Sequence, residues 1–182
     1  PIITISCFNA EISTAINKAQ LQNPWFTTEN IHTALKAIGQ SLEEDKINTW
    51  LKTYENELNE DERASKIAVI MAGNIPLVGF HDMLCVLMSG NLFIGKTSSK
   101  DPFLLPMLAD VLSSFEPSFA ERIQFTEKLD EYNAVVATGS DNSSRYFEYY
   151  FGQKPHIIRK NRNSLAILNG NESPETIALL GK

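Results

Sequence analysis

The 182-residue chain carries a formal net charge of -6 and a pI near 5.1, with 43% hydrophobic and 21% charged residues. That is the balance of a soluble globular protein, long enough for one domain with a substantial core, or one domain plus an appended helical piece. The acidic balance excludes nucleic acid as the main partner, since phosphate binding needs a basic face and only Arg159-Lys160-Asn161-Arg162 supplies one locally; no apolar run reaches the roughly 18 residues of a membrane span.

Residues 2–8, Ile-Ile-Thr-Ile-Ser-Cys-Phe, read as a strand or a fraying end. Ala10 to Gln22 reads as a polar helix, stopped before Asn23-Pro24 because the residue preceding a proline disfavours helical geometry. Thr28 then caps a helix with Ile31, Leu35 and Ile38 on one face, ended by Gly39. Ser41-x-x-Glu44 is a capping-box pattern, with Ile47, Trp50, Leu51 and Tyr54 at helical spacing behind it. The acidic stretch 56–63 reads as a link. A boundary is therefore expected near Glu62, with a helical segment over 1–62 and an α/β domain over 63–182.

Lys66 to Pro102 is the unit around which the chain is organised. Lys66 to Ala72 is an apolar, β-branched run broken by Gly73-Asn74-Ile75-Pro76, as a buried strand ending in a turn should be. Leu77 to Ser89 is too densely apolar for one solvated face and reads as a buried helix closed by Gly90-Asn91. Leu92 to Gly95 is a second strand, running into Lys96-Thr97-Ser98-Ser99-Lys100. Asp101-Pro102 starts a helix with Leu104, Leu105, Leu108 and Leu112 as its buried stripe, ending before Pro117. Arg122 to Thr126 and Ala134 to Ala137 are strands, and Ser140 or Asp141 opens a helix carrying Tyr146, Phe147 and Tyr150. His156 to Ile158 and Leu165 to Leu168 are further strand candidates, and Ser173-Pro174-Glu175 begins a last helix. Strands alternating with helices predict an α/β fold, a doubly wound and mostly parallel Rossmann-like sheet preceded by a helical segment.

In such a sheet ligands bind outside the carboxyl ends of the strands, so Gly73-Asn74, Lys96 to Ser99 and Thr138-Gly139-Ser140 fall on one candidate edge. Gly139-Ser140 at a helix start suits a phosphate, although a Ser there is more often a plain N-cap. Lys96 can hold a ribose or phosphate, or lie exposed with its stem over apolar surface. Neither the G-x-G-x-x-G nor the G-x-x-x-x-G-K-[ST] pattern occurs. His81-Asp82 reads as a capping or core-satisfying pair, and Cys85 as a buried thiol of raised pKa rather than a nucleophile. Cys7 and Cys85 make neither a disulfide framework nor a zinc set, and no histidine pair has metal-ligand spacing, so no metal and a reducing, cytoplasmic setting are expected.

Gly73-Asn74-Ile75-Pro76, Gly90-Asn91 to Lys96-Thr97-Ser98-Ser99 and Ala137-Thr138-Gly139-Ser140 together resemble the cofactor domain of the aldehyde dehydrogenase superfamily. AGNIPLVGFHDMLCVLMSGN, GKTSSKDPFLLP, ATGSDNSSRYFEYYFG and PHIIRKNRNSLAIL resemble more closely its fatty acyl-CoA reductase (LuxC-like) family. The resemblance implies NADPH-dependent reduction of an acyl-CoA thioester to an aldehyde through an enzyme-cysteine thioester. It assigns Asn74 as an oxyanion donor, Lys96 with Ser98 and Ser99 to the adenosine ribose, and Gly139 with Ser140 to the pyrophosphate. Ser99 stands where NAD-preferring members often have glutamate, which favours NADPH. The superfamily's general-base glutamate falls near Arg159, so that base is missing, and the nucleophilic cysteine belongs to a segment beyond Lys182. Pro1 and the apolar end at Lys182 are accordingly read as the ends of a fragment, inactive by itself. The expected partners are an acyl-CoA substrate and, as a homo-oligomer, further copies of the chain. The alternatives are an aldehyde or acyl-phosphate substrate on the same fold, or a non-catalytic α/β module binding a phosphorylated ligand or a protein.

Overall fold

The structure, a computed structural model, describes residues 2–56, 58, 64–139, 141–160 and 165–179, with residues 2–9, 141 and 142 described by backbone alone. Five strands form: Lys66–Ile70 (β1), Leu92–Lys96 (β2), Ile123–Phe125 (β3), Ala134–Thr138 (β4) and His156–Arg159 (β5). They make one sheet in the order β3-β2-β1-β4-β5, and every pairing is parallel. The short apolar runs behave as strands because parallel strands are covered on both faces and so need no polar alternation.

Right-handed crossovers dictate which face each helix takes. Phe80–Met88 (α4) links β1 to β2 and Leu104–Phe115 (α5) links β2 to β3, both moving outward in one direction. Asp141–Phe151 (α6) links β4 to β5 in the opposite direction and covers the other face. Side chains alternate to match: Val69 of β1, Met71 just after it and Val136 of β4 join the core with Met83 and Leu87 of α4 and Leu104 and Leu105 of α5. Ala68, Ile70, Val135 and Ala137 instead meet Phe147 and Phe151 of α6. The link from β3 to β4 contains no helix; its Leu129 and Tyr132 pack on the α6 face as an extended strap.

The front of the chain contributes to the α4–α5 core. Ile2–Gln22 (α1) and Thr28–Ser41 (α2) place Ile16, Ala19 and Ile31 there, with Phe26 between the helices only 1% exposed. Burying a side chain of that size contributes about 1.5–3 kcal/mol. Glu44–Lys52 (α3) follows, and Pro174–Leu179 (α7) ends the described chain.

Several local expectations are corrected. Residues 2–8 are the first turns of α1, not a strand or fraying end; extending an existing helix gains a hydrogen bond per residue, which outweighs the tenths of a kcal/mol that β-branched residues cost. Thr27 rather than Thr28 caps α2, its hydroxyl accepting from the Asn30 amide at 3.2 Å, and α2 runs through Gly39 so that Ser41 donates to the Ile38 carbonyl at 2.7 Å instead of capping α3. Leu77 to Gly79 form a turn before α4, with Leu77 at φ 59°. Leu165 to Leu168 form no strand: the segment has no ladder partner among the described residues, and Leu165 and Ile167 are more than four-fifths exposed. Most of the acidic link after Asn56 lies outside the described residues.

Candidate functional site

Strand register brings three chain segments to one edge. Ile70 of β1 is level with Lys96 of β2 and with Ala137 of β4. The turns that follow therefore leave the sheet side by side, the outer two about 10 Å apart at ordinary strand spacing. The direction in which successive strands are added reverses between β1 and β4, and the helices after β1 and β2 cover one face while that after β4 covers the other. This is the topological switch point at which a parallel sheet opens a crevice.

At the end of β1, Gly73 is pressed against the β2 turn; a Cβ there would lie 2.4 Å from Ser98 Oγ and 2.8 Å from Lys100 Cβ. The corner between α1 and α2 fastens both turns from behind. Asn23, buried, donates through Nδ2 to the Gly73 carbonyl at 3.1 Å, and Gln22 donates through Nε2 to the Ser99 carbonyl at 2.8 Å. Asn74 follows in an exposed position, its amide free of hydrogen bonds among the described residues. Beyond it, the Leu77 amide donates to Asp101 Oδ2 and the Leu104 amide to Oδ1, each at 3.3 Å. Asp101 thus joins the strained β1–α4 turn to the start of α5, and burial pushes its carboxyl above the usual aspartate range against the pull of those amides.

Lys96 ends β2 half-buried and donates to the Glu127 carbonyl. An ammonium has three donors, so two remain for a ligand. Ser98 turns inward: its hydroxyl accepts from the Lys100 amide at 3.2 Å and abuts Gly73, while Ser99 is exposed. Gly139 after β4 donates its amide to the Arg159 carbonyl at 3.4 Å. A Cβ on it would meet Phe147 at 2.8 Å and Ser143 at 2.9 Å, so close seating of α6 already demands glycine whatever binds outside. Ser140 lies outside the described residues. Asn74, Lys96, Ser99 and Gly139 are therefore brought to one edge, and Ser98 supports it from within.

An ion pair flanks this edge. Arg159, the last residue of β5, points to the α4 face, opposite to Ile158, and its Nη1 donates to Asp82 Oδ2 at 2.7 Å. The Asp82 side chain is 10% exposed and that of Arg159 46%. The hydrogen bond it donates to Asp82 pushes the arginine pKa above its ordinary value, more than desolvation lowers it. One turn along α4, Cys85 Sγ lies 3.6 Å from His81 Nε2 and borders a groove of about 400 Å³ with Trp50, Leu51, Tyr54 and Met88. Burial first and Asp82 second raise its thiol pKa, the direction expected of an unreactive cysteine.

Gln22, Asn23 and the pairing of Asp82 with Arg159 escaped sequence reasoning, as did the second bond of Asp101, to the Leu77 amide. Asn23 was visible only as the residue before a proline, and Asp82 and Arg159 are 77 residues apart, a separation no spacing rule reaches. The helix-start role of Asp101 was read from the sequence, and its carboxylate accepts from the Leu104 amide.

No curated protein matches the chain. A family model described as acyl-CoA reductase (LuxC) matches residues 8–160, a span that includes all five strands and every described position on the carboxyl edge. With most of its length covered by that one match, the chain belongs to the acyl-CoA reductase (LuxC) family.

Proposed function

We propose that the chain is the dinucleotide-binding part of an NADPH-dependent, cytoplasmic reductase that converts a fatty acyl-CoA thioester to the aldehyde through a cysteine thioester. One observation supports it above the others: in a member of the acyl-CoA reductase family, the level register of Ile70, Lys96 and Ala137 sets three ligand-capable turns side by side at a switch point. The donor set suits a ribose and diphosphate. It offers a cation with two unused donors at Lys96, an exposed hydroxyl at Ser99, an uncommitted amide at Asn74 and a helix start behind Gly139.

Bound there, the reduced pyridine dinucleotide supplies the hydride. Lys96 holds the adenosine ribose, and Ser99, uncharged, leaves room for a 2′-phosphate. Gly139 and Ser140 lie along the pyrophosphate. The Asn74 amide donates to the thioester carbonyl oxygen as charge develops on it, a contact whose loss in other acyl-transfer sites costs about 2.7–4 kcal/mol. Arg159 stands in place of the superfamily's carboxylate base, and reduction does not need the hydrolytic water that such a base activates. By the resemblance, the thiolate that takes the acyl group lies C-terminal to Lys182, and residues 1–62 and 63–182 are the helical segment and the dinucleotide-binding domain.

Calorimetric titration of the intact protein with NADPH tests this reading. Lys96→Ala should weaken binding about tenfold, the worth of a hydrogen bond to a charged group. An intact protein that binds no NADPH would remove the proposal, and unchanged affinity in Lys96→Ala would remove the site.

A further inference from the structure

The strap from β3 to β4 brings to the β2 tip a carboxylate that the local sequence around Lys96 lacks. A doubly wound sheet ordinarily returns through a helix, but here residues 126–133 cross directly. The start of the strap is held in place: the Thr126 amide donates to the Gly95 carbonyl at 2.9 Å, the Thr126 hydroxyl donates to the Lys128 carbonyl at 2.7 Å, and the Lys128 amide returns to that hydroxyl at 3.2 Å. Glu127 sits inside this turn, and its carbonyl receives the Lys96 ammonium. Residue 127 is thus tied to the end of β2 by its own carbonyl and by the preceding Thr126, which Lys128 braces in turn.

The three acids of the strap are not equivalent. Asp130 pairs with Lys128 at 3.0 Å and Glu131 with Lys66 at 2.8 Å. Glu127 is exposed and has no ion pair among the described residues. An acid exposed and without an ion pair among the described residues, its backbone anchored beside the lysine of a strand tip, is within a side chain's length of a ribose held by that lysine.

We propose that Glu127 is a specificity-determining residue of the dinucleotide site, its carboxylate accepting from the ribose hydroxyls beside Lys96 and opposing a 2′-phosphate there. The assignment rests on the reading of this edge as the cofactor site. Lys96 and Ser99 favour the phosphate, Glu127 resists it, and the protein accordingly binds both NADPH and NADH. The side chain lies on the surface and makes no contact on which folding depends, so its removal separates selectivity from stability.

Equilibrium titration of the intact protein with NADPH and with NADH, followed by nucleotide fluorescence, tests the assignment in wild type, Glu127→Gln and Glu127→Asp. Removing one charge a few ångströms from a phosphate in a partly solvated site should raise the preference for NADPH over NADH about fivefold or more in Glu127→Gln. Glu127→Asp, which keeps the charge, should return most of the wild-type ratio. A ratio in Glu127→Gln within about twofold of wild type, with both nucleotides still bound, would overturn the role of Glu127 and leave the site standing. Failure of the wild-type protein to bind either nucleotide would overturn the site and this assignment together.

Discussion

The Asp82–Arg159 pair provides the sharpest test of the packing around the carboxyl edge, because its two members differ in exposure. Arg159→Met keeps most of the aliphatic stem and removes the charge, leaving Asp82, 10% exposed, without its cation. Stranding one member of a fully buried pair costs about 3–5 kcal/mol, whereas a solvent-exposed pair is worth about 0–1 kcal/mol. With the Arg159 side chain 46% exposed and its charge partly screened, the expected loss lies between these limits, at about 2 kcal/mol. Asp82→Asn leaves a cation that water can still reach and should cost about 1 kcal/mol or less. The double variant should be more stable than Arg159→Met alone, since it removes the stranded charge. Urea unfolding of the four proteins at neutral pH and moderate salt supplies the cycle. If Arg159→Met unfolds within about 0.5 kcal/mol of wild type, or if the two single effects simply add, the pair does not hold β5 to α4 as described.

Three other outcomes follow from particular contacts. Gly73→Ala drives a methyl group into Ser98 and Lys100, which should cost about 1–3 kcal/mol of stability and weaken NADPH binding as the β1 and β2 turns separate; unchanged affinity and stability would contradict the close approach. Phe26→Ala, at a side chain 1% exposed in the shared core, should cost about 3–5 kcal/mol in a single cooperative unfolding transition. A loss below about 1 kcal/mol would show that the helical front does not belong to that core. Burial raises the Asp101 pKa in the folded chain, so its contribution to stability is complete below the ordinary aspartate range and is lost as pH rises through the raised value. The stability of Asp101→Asn relative to wild type should therefore improve from about pH 4 toward neutrality, on top of a constant penalty for the altered bonds to Leu77 and Leu104, and a pH-independent difference would refute it.

Much of the architecture was legible because buried parallel strands advertise themselves. Lys66 to Ile70, Leu92 to Lys96 and Ala134 to Thr138 are short apolar runs ended by Gly, Ser or Asn, and both their existence and their alternation with helices follow from local chemistry. Where the same signal lacked a partner it misled. Ile2 to Phe8 and Leu165 to Leu168 carry comparable β-branched or apolar content, yet one continues a helix and the other joins no ladder, because a strand exists only through its neighbours. Helix ends at Thr27, Gly39 and Ser41 were displaced by a residue or more for a related reason: several adjacent residues were competent to cap, and packing chose among them.

Residue order alone determined that this chain builds an alternating α/β sheet and which turns leave its strands, since hydrophobic pattern and turn chemistry act over a few residues. Tertiary structure alone decided that Asn23 and Gln22 hold those turns, that Arg159 answers Asp82, and that an eight-residue strap sets Glu127 beside Lys96. Each of these contacts joins residues far apart in the chain, and their meeting depends on strand order and crossover direction, quantities that no local window contains.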